Sequence, residues 1–264
     1  MPILHPALPF APWVQPSGRR LPGVMPLART DWLMVDTVYR PQMAERRRLL
    51  AEHSDTVLGL LPEAQEAAGE LLDEVLHDLP QHGFTFDGES AICPDGYTMM
   101  LDRSRPLWTL GHLLQADFCL LQKQGGEHVL TGAVLCFPAS WTLAEKLGKP
   151  LMRIHRPVES YDAELSTRVQ RMFDLMRPEQ PLWRANLLDY AEPSLFQPRP
   201  ENAPRQQSGD APYLRSERQC LLKLPRSGAV VFSIHTAVIL RDRLTEEQQL
   251  ALHEIETGSA QGGA

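Results

Sequence analysis

Two long runs near the end of the chain constrain it most. YLRSERQCLLKL (213–224) and AVVFSIHTAVIL (229–240) each suit the two-residue period of a β-strand, and only Pro225-Arg226-Ser227-Gly228 separates them. A four-residue loop ending in glycine is hairpin chemistry, so the two runs are expected to pair antiparallel. LWRANLLDY (182–190) reads as a third strand. HVLTGAVLCF (128–137), bounded by Gly125-Gly126 and Pro138, reads as a fourth. WTLGHLLQADFCLL (108–121) reads as a helix passing into a short strand. QPRPENAPRQQSGDAP (197–212), rich in Pro, Gln and Asn, reads as a flexible surface loop.

The helices precede this block. PQMAERRRLLAEH opens with Pro41, suited to a first turn, and a second helix follows from Pro62. Its Leu71, Leu72, Val75, Leu76 and Leu79 recur at helical spacing and mark a buried stripe. SWTLAEKLG (140–148) is a short helix with Ser140 as the expected N-cap and Gly148 at C′. KPLMRIHRPVESY then reads as coil, and a further helix lies near 162–176. TEEQQLALHEIE ends the chain's order with a Thr245/Gln248 capping box. Residues 1–30, rich in proline, are an extended arm, and 80–106 is loop-rich. Helices first and antiparallel strands afterwards give an α+β class. A single domain over 1–257 with a disordered tail at 258–264 is expected.

The chemistry is narrowed by what is missing. A net charge of −7 argues against nucleic acid as the main partner. Cys93, Cys119, Cys136 and Cys220 form no CxxC pair and read as reduced core thiols. There is no GxGxxG, Walker, GxSxG or HExxH motif, and no CxxCH for covalent haem. The N-terminus lacks the pattern of a signal peptide, and no apolar run approaches the ~20 residues of a membrane span, so a cytoplasmic location with no membrane contact is expected.

Three groups of side chains stand out. His155 sits before Arg156-Pro157, in a segment stiffened by proline, and is either an ordinary loop histidine or a metal ligand. Arg184 and Asn186, two apart on a strand, share a face and either meet solvent or line a pocket. In 213–224, Arg218 falls on the greasier face with Leu214, Cys220 and Leu222, so it requires an anion or several hydrogen bonds. Glu217 lies on the polar face with Tyr213, Arg215, Gln219 and Lys223, facing either solvent or a cavity. His235 reads as a hydrogen-bonded strand histidine.

Four segments, in order, carry a resemblance. They are CFPASWTLAEKLGKPLMRIHRPVESY (136–161), PLWRANLLDY (181–190), LRSERQCLLKLPRSGAVVFSIHT (214–236) and, more weakly, TDWLMVDTVYRPQMAERRRLLAEH (30–53). Together they resemble the haem-dependent oxidative N-demethylase α-subunit-like family. The resemblance implies a PAS-like antiparallel sheet with flanking helices and an N-terminal helical extension, holding one haem b. It implies a monooxygenase that uses dioxygen to convert a small secondary alkylamine to a primary amine and formaldehyde. Electrons would come from NADPH through a separate flavin/iron–sulfur reductase subunit. On this basis His155 would ligate the iron, Arg184 and Arg218 would meet haem propionates, Glu217 the substrate ammonium, and Asn186 the pocket. The pattern is departed from at Ala139, Glu159-Ser160, Leu187 and Cys220. A haem-binding PAS-like sensor or redox protein without demethylase activity is the alternative.

Overall fold

The computed structural model describes residues 1–14, 23–155, 163–203 and 211–261. Its helices are α1 (Tyr39–Glu52), α2 (Ser54–Val57), α3 (Gln65–Asp78), α4 (Pro106–Leu113), α5 (Leu143–Lys146), α6 (Leu151–Ile154), α7 (Ala163–Leu175) and α8 (Glu246–Gln261). Its strands are β1 (Met25–Pro26), β2 (Leu58–Leu60), β3 (Thr85–Asp87), β4 (Ser90–Ile92), β5 (Thr98–Met100), β6 (Asp117–Gln124), β7 (Glu127–Val134), β8 (Leu182–Tyr190), β9 (Tyr213–Lys223) and β10 (Val230–Leu240). The fold is α+β, and every pairing in the large sheet is antiparallel, in the order β1-β8-β9-β10-β6-β7-β2.

The hairpin forms as its alternation requires. β9 and β10 pair over their full length from Val230↔Lys223 to Leu240↔Tyr213, and Gly228 at the turn has φ +68°. The loop-rich reading of 80–106 misses the small sheet β3-β4-β5 and the helix start at Pro106. Strands of three residues are too short to show a period.

The large sheet is covered on both faces. One face packs Phe118, Leu120, Leu222 and Val231 against α1, α3 and α4. Further along the same face, Trp183, Leu187, Leu214 and Ile239 meet Leu8, Phe10 and Trp13 of the N-terminal arm and Leu252 of α8. The opposite face buries Cys119, Leu121, Leu221 and Val230 under α5, α6 and α7, through Leu143, Leu151, Ile154 and Phe173. Each such aliphatic or aromatic side chain contributes roughly 1.5–3 kcal/mol on full burial.

α5 lies close to the sheet because β2 carries a glycine there. A Cβ on Gly59 would come within 2.8 Å of Leu147 Cδ2, just past α5. Gly148, at φ +74°, ends that helix as expected, but Ser140 is not its N-cap. Ser140 itself has φ +61°, and Thr142 occupies the N-cap position with its hydroxyl on Glu145. The capping box of α8 is present: Thr245 N–H donates to Gln248 Oε1, and Gln248 N–H to Thr245 Oγ1. That helix continues through Gly258 to Gln261, while 262–264 lie outside the described residues.

Candidate haem-binding face

The site builds from the alternation of β8 and β9. Arg184 stands opposite Gln219 and Asn186 opposite Glu217, so these four share a face, with Arg215 two residues before Glu217. Trp183, Ala185 and Leu187 turn the other way, into the cluster under the N-terminal arm. This is the division expected for β8.

On β9 the polar row is not solvent-facing. Arg215 is 1% exposed and Glu217 5%. Arg215 donates to Glu217 Oε1 from Nε at 3.3 Å and Nη2 at 3.1 Å, and to the carbonyls of Leu195 and Phe137. Asn186 Nδ2 and Gln219 Nε2 donate to Glu217 Oε2 at 2.9 and 3.2 Å. Asn186 Oδ1 in turn accepts the Glu217 N–H at 2.8 Å. Both carboxylate oxygens are therefore engaged twice, and the carboxylate charge is matched by one guanidinium.

Arg184, on the same face, is different. Its Nε is buried with no hydrogen-bond partner among the described residues, and burial holds the guanidinium below its ordinary range. A half-buried guanidinium with an unpartnered Nε gains from an anion, and a carboxylate supplies the matching fork.

His155 ends α6, which packs under the apolar half of this face. Its Nδ1 donates to the Leu151 carbonyl at 2.9 Å. With Nδ1 donating to a carbonyl the neutral ring has its lone pair on Nε2, one of the two tautomers in which histidine ligates metals. Burial first, and then the charge of Lys146, keep the imidazole neutral by lowering its pKa. Lys146 itself lies over the Trp141 ring at 4.5 Å, with its pKa lowered by burial. Residues 156–162, which include Pro157 and the Glu159-Ser160 departure, lie outside the described residues.

Arg218 is not brought to this group. It points through the sheet to the opposite face, donating to the carbonyls of Asp31 and Trp32 at 2.5 and 3.2 Å and lying over Trp183. His235 also faces that way, bonded to Asp36 Oδ2 at 2.8 Å, as a hydrogen-bonded strand histidine. All four cysteines are free and buried, and burial pushes the thiols of Cys119 and Cys136 up to about 12.

Sequence reasoning placed Arg215 beside Glu217 on the polar face, with a salt bridge between them as the structural alternative, and missed Lys146. Arg215 had a signal, since an opposite charge two residues from Glu217 shares its face. Lys146 had none, because its burial depends on a helix folding back over a distant strand.

Two clefts are present elsewhere. One of about 510 Å³ lies between Leu240, Leu244 and Leu252, and one of about 360 Å³ lies between Met1, Arg48 and Phe196. Neither is lined by His155 or Arg184.

The class the fold defines is an α+β protein built on a large antiparallel sheet, with His155 at the end of α6 and the half-buried Arg184 of β8 on the same side of it. More specifically, the chain belongs to the haem-dependent oxidative N-demethylase, alpha subunit-like family, which matches residues 23–260. The match covers most of the chain, including β8 to β10 and His155. The family description carries haem dependence, oxidative N-demethylation and a subunit that works with others. No helix among the described residues is long and apolar enough to cross a membrane.

Proposed function

We propose that this chain is the haem b-binding subunit of a monooxygenase, in a PAS-like fold, that demethylates a small secondary alkylamine. The observations that carry the reading lie on the same side of the sheet: His155, at the end of α6, with Nδ1 on the Leu151 carbonyl, and Arg184, on β8, with an Nε that has no partner among the described residues. The two fit a haem: a neutral imidazole for the iron and a guanidinium for a propionate. The overall reaction takes the N-methyl amine, dioxygen, two electrons and two protons to the primary amine, formaldehyde and water. The haem, when bound, supplies the oxygen chemistry. Electrons reach it from NADPH through a separate flavin/iron–sulfur reductase, since this chain has no motif for those groups.

The protein's own residues bind and orient. His155 is held by the Leu151 carbonyl, so its ring presents one direction. The Glu217 carboxylate, fixed by Arg215 and Asn186, is the anion assigned to a substrate that arrives as an ammonium. Gln219 Nε2, at 3.2 Å, is the looser of the two amide donors to Oε2 and the contact an ammonium replaces. Arg218, spent on two carbonyls of the N-terminal segment, is assigned to tethering that segment rather than to a propionate.

The test is turnover. The haem-loaded protein, given a reductant, dioxygen and a secondary methylamine, should release formaldehyde. In Glu217→Gln the amine-induced Soret shift should need at least about a hundredfold more amine, the cost of removing one partner of a desolvated charge pair. Carbon monoxide binding without formaldehyde from any secondary methylamine would establish the sensor or redox alternative instead.

A further inference from the structure

On the face away from the haem-binding candidates, three residues from distant parts of the chain converge. His5 comes from the N-terminal arm, Asp36 from the segment before α1, and His235 from the middle of β10. His5 Nε2 lies 2.7 Å and His235 Nε2 2.8 Å from the same oxygen, Asp36 Oδ2. One ligand atom from each residue lies within 4.8 Å of the others. His5 is 3% exposed, as is His235.

We propose that His5, Asp36 and His235 form a binding site for a divalent cation of the zinc type, which clamps the N-terminal arm to the sheet. The donor set is the first argument: two imidazoles and one carboxylate are a common set for zinc and other first-row ions. The surroundings are the second. The other carboxylate oxygen of Asp36 is held by Gln115 Nε2 at 2.7 Å and the Val38 N–H at 3.0 Å, as the outer oxygen of a ligating carboxylate usually is. Gln115 also accepts the Asp36 N–H and donates onward to Gln42, so the carboxylate is fixed before any ion arrives. Backbone pairing of the His5 N–H with the Val238 carbonyl at 2.8 Å fixes the arm. Charge is the third argument. Among the described residues Asp36 ion-pairs only with these two imidazoles and with no lysine or arginine. A carboxylate with only imidazoles opposite it gains from a fixed positive charge, and a cation supplies one.

Binding has one stated consequence. Each imidazole now donates from Nε2 to the shared oxygen, so a ligated ring must carry its proton on Nδ1. For His5 this gives up the contact from the Val238 N–H to Nδ1, at 3.4 Å the loosest in the cluster. For His235, Nδ1 has no hydrogen-bond partner among the described residues, so no contact is given up there. The apo arrangement is thus a proton-held version of the same site.

The test uses the full chain with its haem and Zn²⁺ as the probe. Equilibrium dialysis with elemental analysis should find one zinc per chain. Zinc-edge absorption should show nitrogen and oxygen neighbours only, at about 2.0–2.1 Å. His5→Ala lies on the arm, outside the sheet, and should lower zinc affinity at least a hundredfold while the haem spectrum is unchanged. Asp36→Asn should do the same. Undiminished zinc binding in a folded His5→Ala protein would overturn the proposal. If that variant fails to fold, the unaltered chain decides: two imidazoles in the zinc shell support the site, whereas sulfur neighbours or no bound zinc overturn it.

Discussion

Arg215 and Arg184 occupy neighbouring strands and point to the same face, yet their surroundings are opposite. Arg215 is wholly buried and spends its donors on Glu217 and on two carbonyls. Arg184 is half-buried and has an Nε that meets nothing among the described residues. The contrast teaches that Arg215 spends its donors within the fold, while Arg184 leaves one open for the outside anion proposed above. A haem propionate is the anion that the family assignment makes available.

Breaking Arg215 gives the largest expected effect. Arg215→Ala leaves the Glu217 carboxylate buried with only amide donors, and loss of one partner of a buried pair costs about 3–5 kcal/mol. Urea unfolding of the haem-free protein measures this. Glu217→Gln is milder, since Arg215 keeps the Leu195 and Phe137 carbonyls and gains an amide acceptor; about 1–3 kcal/mol is expected by the same assay. Arg184→Leu sharpens the comparison by going the other way. With no bond to lose, the haem-free protein should unfold within about 1 kcal/mol of the parent. Its haem should nevertheless leave faster, by roughly tenfold for a lost contact of about 1.4 kcal/mol, measured by transfer to a haem acceptor.

The smallest effect concerns pH. Burial lowers the His155 pKa, so on acidification the unfolded chain takes up its proton first. The unfolded state then binds more protons, and stability rises with pH from the lowered folded value up to the unfolded value of about 6.5, and is flat above it. His82, His112 and His235 are lowered in the same direction by burial. The informative quantity is therefore the difference between parent and His155→Ala. The acid-side slope should be shallower in the variant by no more than about 1.4 kcal/mol per pH unit. An identical slope would place His155 in water.

Much of this frame is legible in the sequence. The bounds of β8, β9 and β10 follow from alternation and from the Pro225–Gly228 loop, because a hairpin is specified locally. The shared face of Arg184 and Asn186 follows from the same rule. The burial of Arg215 and Glu217 does not. Alternation separates two faces but cannot say that both are covered, and the cover here comes from Phe137 and Leu195, 78 and 20 positions from Arg215. Arg218 was correctly seen as inward, but its carbonyl partners at Asp31 and Trp32 lie 187 and 186 positions off. The His5–Asp36–His235 cluster was invisible for the same reason: its members are separated by 31 and 199 positions, and no spacing announces them. The four-segment resemblance, by contrast, pointed to the family that matches residues 23–260, because family patterns record positions that only the fold brings together.

The central claim is that one haem b sits on this face with His155 as its iron ligand. The most direct measurement is the absorption spectrum of the haem-reconstituted protein and of His155→Ala, oxidised, reduced and with carbon monoxide, alongside a pyridine haemochrome assay. The account predicts close to one acid-extractable haem per chain in the parent. In the variant, with the fold intact by circular dichroism, haem should be lost or its Soret band displaced. A colourless parent, or a variant with the same haem content and an unchanged Soret band, would contradict it and move the ligand elsewhere, to His112 or His235.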